Sequence, residues 1–140
     1  MRVPRVLAID YGTKRCGIAV TDTLQIIANG LTTVATHELF RFLEEYFKKE
    51  EVECVLVGMP KKLDNTPSEN ASHVVGFVRK LAQTYPKMRV ETADERFTSR
   101  MALDTMITAG TSKKQRRNKE TIDMISATLI LQNYLEAKKF

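Results

Sequence analysis

The amino-acid sequence predicts an α/β fold built on a mixed five-stranded sheet with helices on both faces. Two observations predict it: three short apolar runs separated by turns come first, and apolar runs alternating with helix-patterned segments follow. Strands joined by short turns pair antiparallel, whereas strands joined through helices return parallel and right-handed. With 140 residues, 43% of them hydrophobic, the chain can bury one core, so we expect a single domain over 1–140.

The first three predicted strands form a meander. Residues 5–10 are mostly apolar, which is typical of a central strand that is buried on both faces. Only the short turn at 11–14 separates them from the second strand, 15–21, so these two strands are expected to pair antiparallel. The third strand covers 26–34 and is weakened by an internal Asn-Gly pair.

Apolar residues at helical spacing predict the first two helices. Thr36 caps the first helix, which runs to about residue 49, and the most apolar strand of the chain follows at 52–59. A capping box with proline at the first helical position, at 66–69, starts the second helix. This helix ends near residue 83, and its predicted buried residues are Ala71, Val74, Val75, Val78, Leu81 and Ala82.

The last part of the chain completes the sheet and adds two more helices. A fifth strand is predicted at 88–92, Thr98 caps a third helix that Gly110 ends, and a final helix covers 119–138. The first, fourth and fifth strands then form a parallel core, and the meander adds an antiparallel edge. This is the ribonuclease H-like arrangement.

Acidic residues lie at the carboxyl ends of two of these parallel strands. Asp10 ends the first strand, and Glu95 follows the fifth. Ligands in open α/β sheets bind at this edge, where the two carboxylates would repel each other unless a proton or a cation lay between them. Ion pairing with Lys14, Arg15 and Arg96 is one solution, and a hard divalent cation on oxygen ligands is the other.

Asp123 is a candidate third acid. It lies in the final helix, which is apolar over most of its circumference, so its charge costs free energy unless it is paired or binds a metal. The alternative is an acid that the helix dipole favours in the N-terminal half of the helix. The lengths of the preceding segments allow this helix to begin near the acidic edge but do not require it.

The net charge of +5 is concentrated in one loop. The chain has 22 basic residues, and without those of the 113–119 segment it has 17 basic and 17 acidic ones. The five cations of this segment are Lys113, Lys114, Arg116, Arg117 and Lys119. A contact with a polyanion and a solvated loop that serves solubility both fit this composition.

The bulk composition excludes several classes of protein. No apolar stretch approaches the 18 residues of a membrane span, and the N-terminus lacks the pattern of a signal peptide. The two cysteines, Cys16 and Cys54, lie in strand-like runs, which predicts buried free thiols in a reducing compartment. We therefore expect a cytoplasmic protein with no membrane partner.

Four motifs together resemble a known family. The chain is similar to the YqgF/RuvX family, bacterial pre-16S rRNA nucleases that are also described as Holliday junction resolvase homologues. The matching motifs are DYGTKRCGIA at 10–19, VGMP at 57–60, DERFTS at 94–99, and Asp123 followed by ILQNYL at 130–135. One departure is Asn65, where the family usually has glycine, but asparagine tolerates the left-handed conformation.

The resemblance implies a ribonuclease H-like fold and a metal-dependent phosphodiesterase site made of Asp10, Glu95 and Asp123. Phosphodiester hydrolysis by two divalent ions, Mg²⁺ or Mn²⁺, fits these acids, with Asp10 bridging the ions and the other two each holding one. The implied activity is 5′-end processing of pre-16S rRNA, with association to a ribosome precursor. The residues expected to contact nucleic acid are Lys14, Arg15, Lys61, Lys62, Arg96, Lys113, Lys114, Arg116, Arg117 and Lys119.

Other functions are compatible with parts of the pattern. The protein could resolve Holliday junctions in branched DNA, or bind nucleic acid as a non-catalytic adaptor. Asp-x-Gly-Thr hairpins also bind ATP phosphates in actin-like ATPases, but those need two such domains, and 140 residues supply one. The sequence leaves open RNA or DNA as substrate, and a monomer or a homodimer.

Overall fold

The computed structural model describes residues 4–22, 25, 27–59, 71–94 and 119–138. The strands are β1 (Arg5–Tyr11), β2 (Arg15–Thr21), β3 (Ala28–Ala35), β4 (Val52–Met59) and β5 (Arg89–Asp94), and the helices are α1 (Leu39–Lys49), α2 (Ala71–Thr84) and α3 (Lys119–Lys138), with a 3₁₀ turn at Thr36–Glu38 before α1. The five predicted strands are thus confirmed, with small shifts at their ends. The helix predicted at 98–110, the capping box at 66–69 and residues 113–118 of the basic segment lie outside the described residues.

The strands form a single mixed sheet in the order β3-β2-β1-β4-β5. β1 pairs antiparallel with β2, and β2 pairs antiparallel with β3. On its other side β1 pairs parallel with β4, and β4 pairs parallel with β5. The predicted combination of an antiparallel meander and a parallel core is therefore confirmed, and the carboxyl ends of β1, β4 and β5 share one edge of the sheet, here called the carboxyl edge.

The two faces of the sheet are covered by different helices. Alternation along each strand sends every second side chain to one face. One face packs against α1 and α2 through the buried side chains of Leu7, Ile9, Cys16, Ile18, Val55, Val57, Leu39, Leu43, Val74, Phe77 and Leu81. The other face packs against α3 through Val6, Ala8, Ala19, Cys54, Leu56, Ala127, Ile130 and Leu131.

Two details of the predicted helices are wrong. Thr36 does not cap α1, because it begins the preceding 3₁₀ turn, and the N-cap position of α1 is Glu38, which makes no capping hydrogen bond. In α2, Val75 and Ala82 are exposed, and Phe77 is buried in their place. The buried face of α2 therefore consists of positions 74, 77 and 81, whereas positions 75 and 82 lie on an adjoining face that is exposed.

Helix α3 crosses its face of the sheet from β3 to β5. Near the C-terminal end of α3, Tyr134 accepts a hydrogen bond of 2.6 Å from Nη2 of Arg89, the first residue of β5. One turn earlier, Ile130 lines a cavity together with Leu56 and with Ala93, which lies near the end of β5. Earlier in α3, Met124 and Thr128 lie against Gly30 of β3, which pairs with Ala19 in the middle of β2. Helix α3 therefore runs across the strands, from β3 to β5.

Both cysteines are free and buried, as predicted. Cys54 lies on the face that α3 covers, where its Sγ donates a hydrogen bond of 3.4 Å to Oε2 of Glu91. Burial raises the pKa of the Cys54 thiol, and the nearby Arg89 guanidinium opposes this shift only in part. Among the described helices, none combines the length and the hydropathy needed to cross a bilayer.

Candidate active site at the carboxyl edge

Asp10 lies at the carboxyl edge on the face of the sheet that α3 covers. It is the next-to-last residue of β1 and is half-buried. Because side chains alternate along a strand, Asp10 shares the face of Val6 and Ala8, which pack against α3. The carboxylate therefore lies on the same side of the sheet as the helix that carries position 123.

Glycines flank Asp10 in the sheet. On β2 its pairing partner is Gly17. On β4 the register pairs Ile9 with Val57, so the next position along β4 is Gly58. Because neither glycine carries a side chain, the two neighbouring strands add no Cβ atom beside the Asp10 carboxylate. This arrangement allows a phosphate or a cation to approach the carboxylate closely.

The turn between β1 and β2, residues 12–14, is held by Thr36. The Thr36 hydroxyl donates a hydrogen bond of 2.7 Å to the carbonyl oxygen of Gly12. The Thr36 backbone N–H donates another, of 3.0 Å, to the carbonyl oxygen of Lys14. The Cys16 Sγ lies 3.5 Å from the Thr36 Oγ1 and donates to the Gly12 carbonyl at 3.8 Å. One residue at the end of β3 therefore fixes both ends of the turn.

Gly12 is required by a close approach within this turn. A Cβ atom added at Gly12 would lie closer than 3.0 Å to the carbonyl oxygen of Arg15. Arg15 is itself paired with Ala35 of β3, so its backbone is held in the sheet. Only glycine fits the turn in this conformation, which presents Lys14 exposed and Arg15 half-buried beside Asp10.

An aromatic cluster supports the end of β1 from the other face. The Tyr11 ring lies 5.0 Å from the Phe77 ring, which in turn lies 5.3 Å from the Phe40 ring in an edge-to-face arrangement. The Nζ atom of Lys80 lies 4.5 Å from the centre of the Phe40 ring. Burial raises the pKa of the Tyr11 hydroxyl, which therefore stays protonated at neutral pH. The contact between the Tyr11 and Phe77 rings thus anchors the end of β1 next to Asp10.

The described residues contain part of the predicted site. Asp10, Lys14 and Arg15 lie together at the carboxyl edge, and positions 119 and 123 fall in the first turns of α3, although the side chains of Lys119 and Asp123 are not described. The other predicted site residues lie outside the described parts of the chain: Glu95, Arg96, Lys61, Lys62, Lys113, Lys114, Arg116 and Arg117. Within the described residues no three His, Cys, Asp or Glu side chains form a metal-binding group.

Sequence reasoning missed the role of Thr36 in this site. The residue was predicted as a helix cap, because threonine before a helical stripe is a typical start signal. Its hydroxyl instead contacts Gly12, which lies 24 positions away in the sequence. A contact at that separation depends on the register of β2 with β3, which shifts between Ile18 and Ala19 and which local patterns do not specify.

The described chemistry fits a hard divalent cation. Asp10 supplies a carboxylate, the ligand type that Mg²⁺ and Mn²⁺ prefer, in a place where its strand neighbours carry no side chains. On α3, the Ser126 hydroxyl is buried and has no hydrogen-bond partner in the described part of the protein, which costs free energy.

The fold and this edge define the class of protein as ribonuclease H-like. The chain superposes on a solved structure described as "T. thermophilus RuvC in complex with Holliday junction substrate" with a TM-score of 0.59 and 18% identity, over 97% of this chain and 96% of that one. The likeness extends over nearly the whole chain and shows the shared fold. It confirms the fold class that the order of the strands and helices predicts.

The sequence comparisons identify the family. The chain belongs to the RuvX family, described as "Holliday junction resolvase", whose model matches residues 4–137. It is 58% identical over 138 residues to a "Putative pre-16S rRNA nuclease" of Flavobacterium johnsoniae, with 99% of this chain and 100% of the relative covered. A protein of the same name from Bacteroides thetaiotaomicron is 57% identical over 136 residues, covering 97% of this chain and 99% of the relative. The resemblance drawn from the motifs is therefore confirmed.

Proposed function

We propose that the protein is a metal-dependent nuclease that hydrolyses phosphodiester bonds in structured nucleic acid, and that it processes the 5′ end of pre-16S rRNA. The observation that carries this proposal is the full-length similarity to relatives named as pre-16S rRNA nucleases, at 58% and 57% identity. The position of Asp10 at the carboxyl edge supports it from the side of the structure, because this is where open α/β sheets bind their ligands.

Asp10 is the central acid of the proposed site. It lies on β1, the middle strand of the sheet, where pairing on both sides and the Tyr11 anchor hold it rigidly. Glu95 and Asp123 are the other two proposed acids. Glu95 follows directly after β5, and position 123 lies in the N-terminal part of α3, the helix that covers the face of Asp10.

These three carboxylates would hold the divalent ions, Mg²⁺ or Mn²⁺. When bound, the ions would supply positive charge that stabilises the scissile phosphate and its leaving oxygen. The residues of the chain contribute the placement of that charge. Asp10 would hold the charge of the ions at the end of a rigid strand. Beside Asp10, the neighbouring strands carry Gly17 and Gly58, which have no side chains.

Cationic side chains would hold the nucleic-acid backbone around the site. Lys14 lies on the turn that Thr36 holds and Arg15 begins β2 directly after it, so both can contact the phosphates beside the scissile bond. Arg96 is proposed for the same role. Lys61, Lys62 and the cations of the 113–119 segment would contact phosphates farther along the backbone.

Cleavage of branched DNA is the second candidate function. The printed description of the family, "Holliday junction resolvase", and the shared fold with RuvC favour it. Both functions need the same acids and the same cations, and they differ in the shape of the nucleic acid that is held. A non-catalytic adaptor is a third candidate, and Asp10 argues against it because an adaptor needs no half-buried acid beside its phosphate-binding cations.

A cleavage assay tests the proposal. Purified protein is incubated with RNA that contains the 5′ end of pre-16S rRNA and, in parallel, with four-way junction DNA, each with Mg²⁺, with Mn²⁺ and with EDTA. We expect cleavage of the RNA that EDTA abolishes and either ion restores, and we expect Asp10→Asn to remove it. Cleavage of the junction alone would favour the resolvase, and cleavage that persists in EDTA would overturn the metal-dependent mechanism.

The proposal includes the setting of the activity. We propose that residues 1–140 act as one domain, that the partner is structured RNA in a ribosome precursor, and that the protein works in the cytoplasm. The described strands form one sheet and the described helices cover both of its faces, which supports a single domain.

A further inference from the structure

The turn that connects β1 to β2 is held by one residue that is distant in sequence. Thr36 binds the carbonyl oxygen of Gly12 through its hydroxyl and that of Lys14 through its backbone N–H, at 2.7 and 3.0 Å. The Cys16 thiol makes weaker contacts with both the Thr36 hydroxyl and the Gly12 carbonyl oxygen. Within the turn, the backbone of Gly12 lies so close to the Arg15 carbonyl that an added Cβ atom would clash.

The two bonds decide which groups the turn can offer to a phosphate. Carbonyl oxygens carry the negative end of the peptide dipole and repel a phosphate, whereas lysine and arginine attract it. Thr36 engages two carbonyl oxygens of a turn that presents Lys14 and Arg15 next to Asp10. Loss of the hydroxyl would release the Gly12 carbonyl and allow the turn to change its conformation.

We infer that Thr36 is a positioning residue, whose hydroxyl holds the 12–14 turn in the conformation that binds a backbone phosphate of the nucleic acid. The inference rests on the proposed function, since it assigns the turn to that substrate. Thr36 itself touches no phosphate in this arrangement. It acts through the carbonyl of Gly12 and thereby sets the positions of Lys14 and Arg15.

Thr36→Val is the variant that tests the inference, because it keeps the shape of the side chain and removes the donor. Thr84→Val is the matched control. The Thr84 hydroxyl also donates to a backbone carbonyl, that of Lys80, at 2.7 Å, and Thr84 lines a cavity with Val52 at the opposite edge of the sheet. Thr36→Ser retains the hydroxyl and is expected to behave like the wild type.

Binding is measured by fluorescence anisotropy with a labelled RNA hairpin in EDTA over a series of salt concentrations. Loss of one hydrogen bond that positions the turn is expected to raise the Kd of Thr36→Val about five- to tenfold. The log–log salt slope is expected to fall by about 1–2, because up to two phosphate contacts are weakened. A role in folding alone would lower the melting temperature and leave the salt slope of the folded protein unchanged.

The outcomes separate this inference from the proposed function. If the wild type cleaves RNA and Thr36→Val binds with the Kd and salt slope of Thr84→Val, the inference is overturned and the nuclease stands. If the wild type binds without cleaving and only Thr36→Val weakens binding, the inference stands and the nuclease fails. If Thr36→Val unfolds, Thr36→Ala carries the same expectation without added bulk. Unfolding of both variants would make Thr36 a residue of the fold alone and overturn the inference.

Discussion

Replacing Gly12 with alanine gives a direct test of the geometry at the carboxyl edge. The added Cβ atom would lie closer than 3.0 Å to the Arg15 carbonyl oxygen, a separation that Cβ atoms essentially never show. That oxygen belongs to the backbone of a residue paired with Ala35 in the sheet, so it cannot swing aside as a side chain would. The turn must therefore move, and this movement would lengthen or break the hydrogen bonds that Thr36 donates to it.

The expected cost follows from these contacts. Overpacking of this kind costs about 1–3 kcal/mol, and loss of one hydrogen bond from Thr36 alone accounts for about 1 kcal/mol. In a domain of this size, a decrease of about 1–3 kcal/mol in the free energy of unfolding lowers the melting temperature by about 3–10 °C. Cleavage of RNA should fall as well, because the displaced turn carries Lys14 next to Asp10.

Gly76→Ala is the matched control for Gly12→Ala. Gly76 is an exposed residue in the interior of α2, and an added Cβ atom there meets no atom within 4 Å. Alanine in a helix is more stable than glycine by about 0.5–1 kcal/mol, so this variant should gain stability. Urea unfolding followed by circular dichroism measures both variants, and a Gly12→Ala protein as stable as the wild type would refute the close approach described here.

Three further predictions concern charge and proton binding. If Glu95 and Asp123 share the site as proposed, Asp10→Asn should raise the free energy of unfolding in EDTA by about 1 kcal/mol, since it removes one of three like charges, and it should abolish cleavage. A variant that is less stable in urea unfolding but still cleaves RNA would make Asp10 a purely structural residue. Stability should fall as the pH rises above 9.0, the ordinary pKa of the thiol, because burial raises the pKa of Cys54 and only the unfolded state then releases the proton. Urea unfolding at increasing pH should show a smaller loss for Cys54→Ala, and an equal loss would contradict this assignment. Exchanging Lys113, Lys114, Arg116 and Arg117 for glutamine should reduce the salt slope of RNA binding by up to about 3–4, whereas an unchanged slope would show a loop that is only solvated.

The sheet could be predicted from the sequence because its signals are local. Residues 5–10 and 52–59 are continuous apolar runs, and their connections dictate parallel or antiparallel pairing. The buried face of α2 was harder to predict. Apolar residues lie on two adjoining faces of this helix, and the sheet selects the face that contains Phe77 rather than the one that contains Val75.

The candidate site was predictable where strand order alone determines a position. Asp10 follows an apolar run, and the end of a parallel strand places it at the carboxyl edge. The face on which Asp10 lies was not predictable, because it depends on which helix covers which side of the sheet. The contact between Thr36 and Gly12 could not be predicted either, since it follows from the register of β2 with β3, including its shift between Ile18 and Ala19.

The cover that α3 provides has a consequence for the synthesis of this protein. Val6 and Ala8 of β1 are fully buried against a helix that begins at position 119, more than a hundred residues later in the chain. At translation rates of about 5–20 residues per second, one face of β1 waits for roughly 5–20 s before its cover has been made. During that interval the nascent chain exposes this apolar surface. The side of the sheet that carries Asp10 is therefore covered last, after the side that α1 and α2 cover.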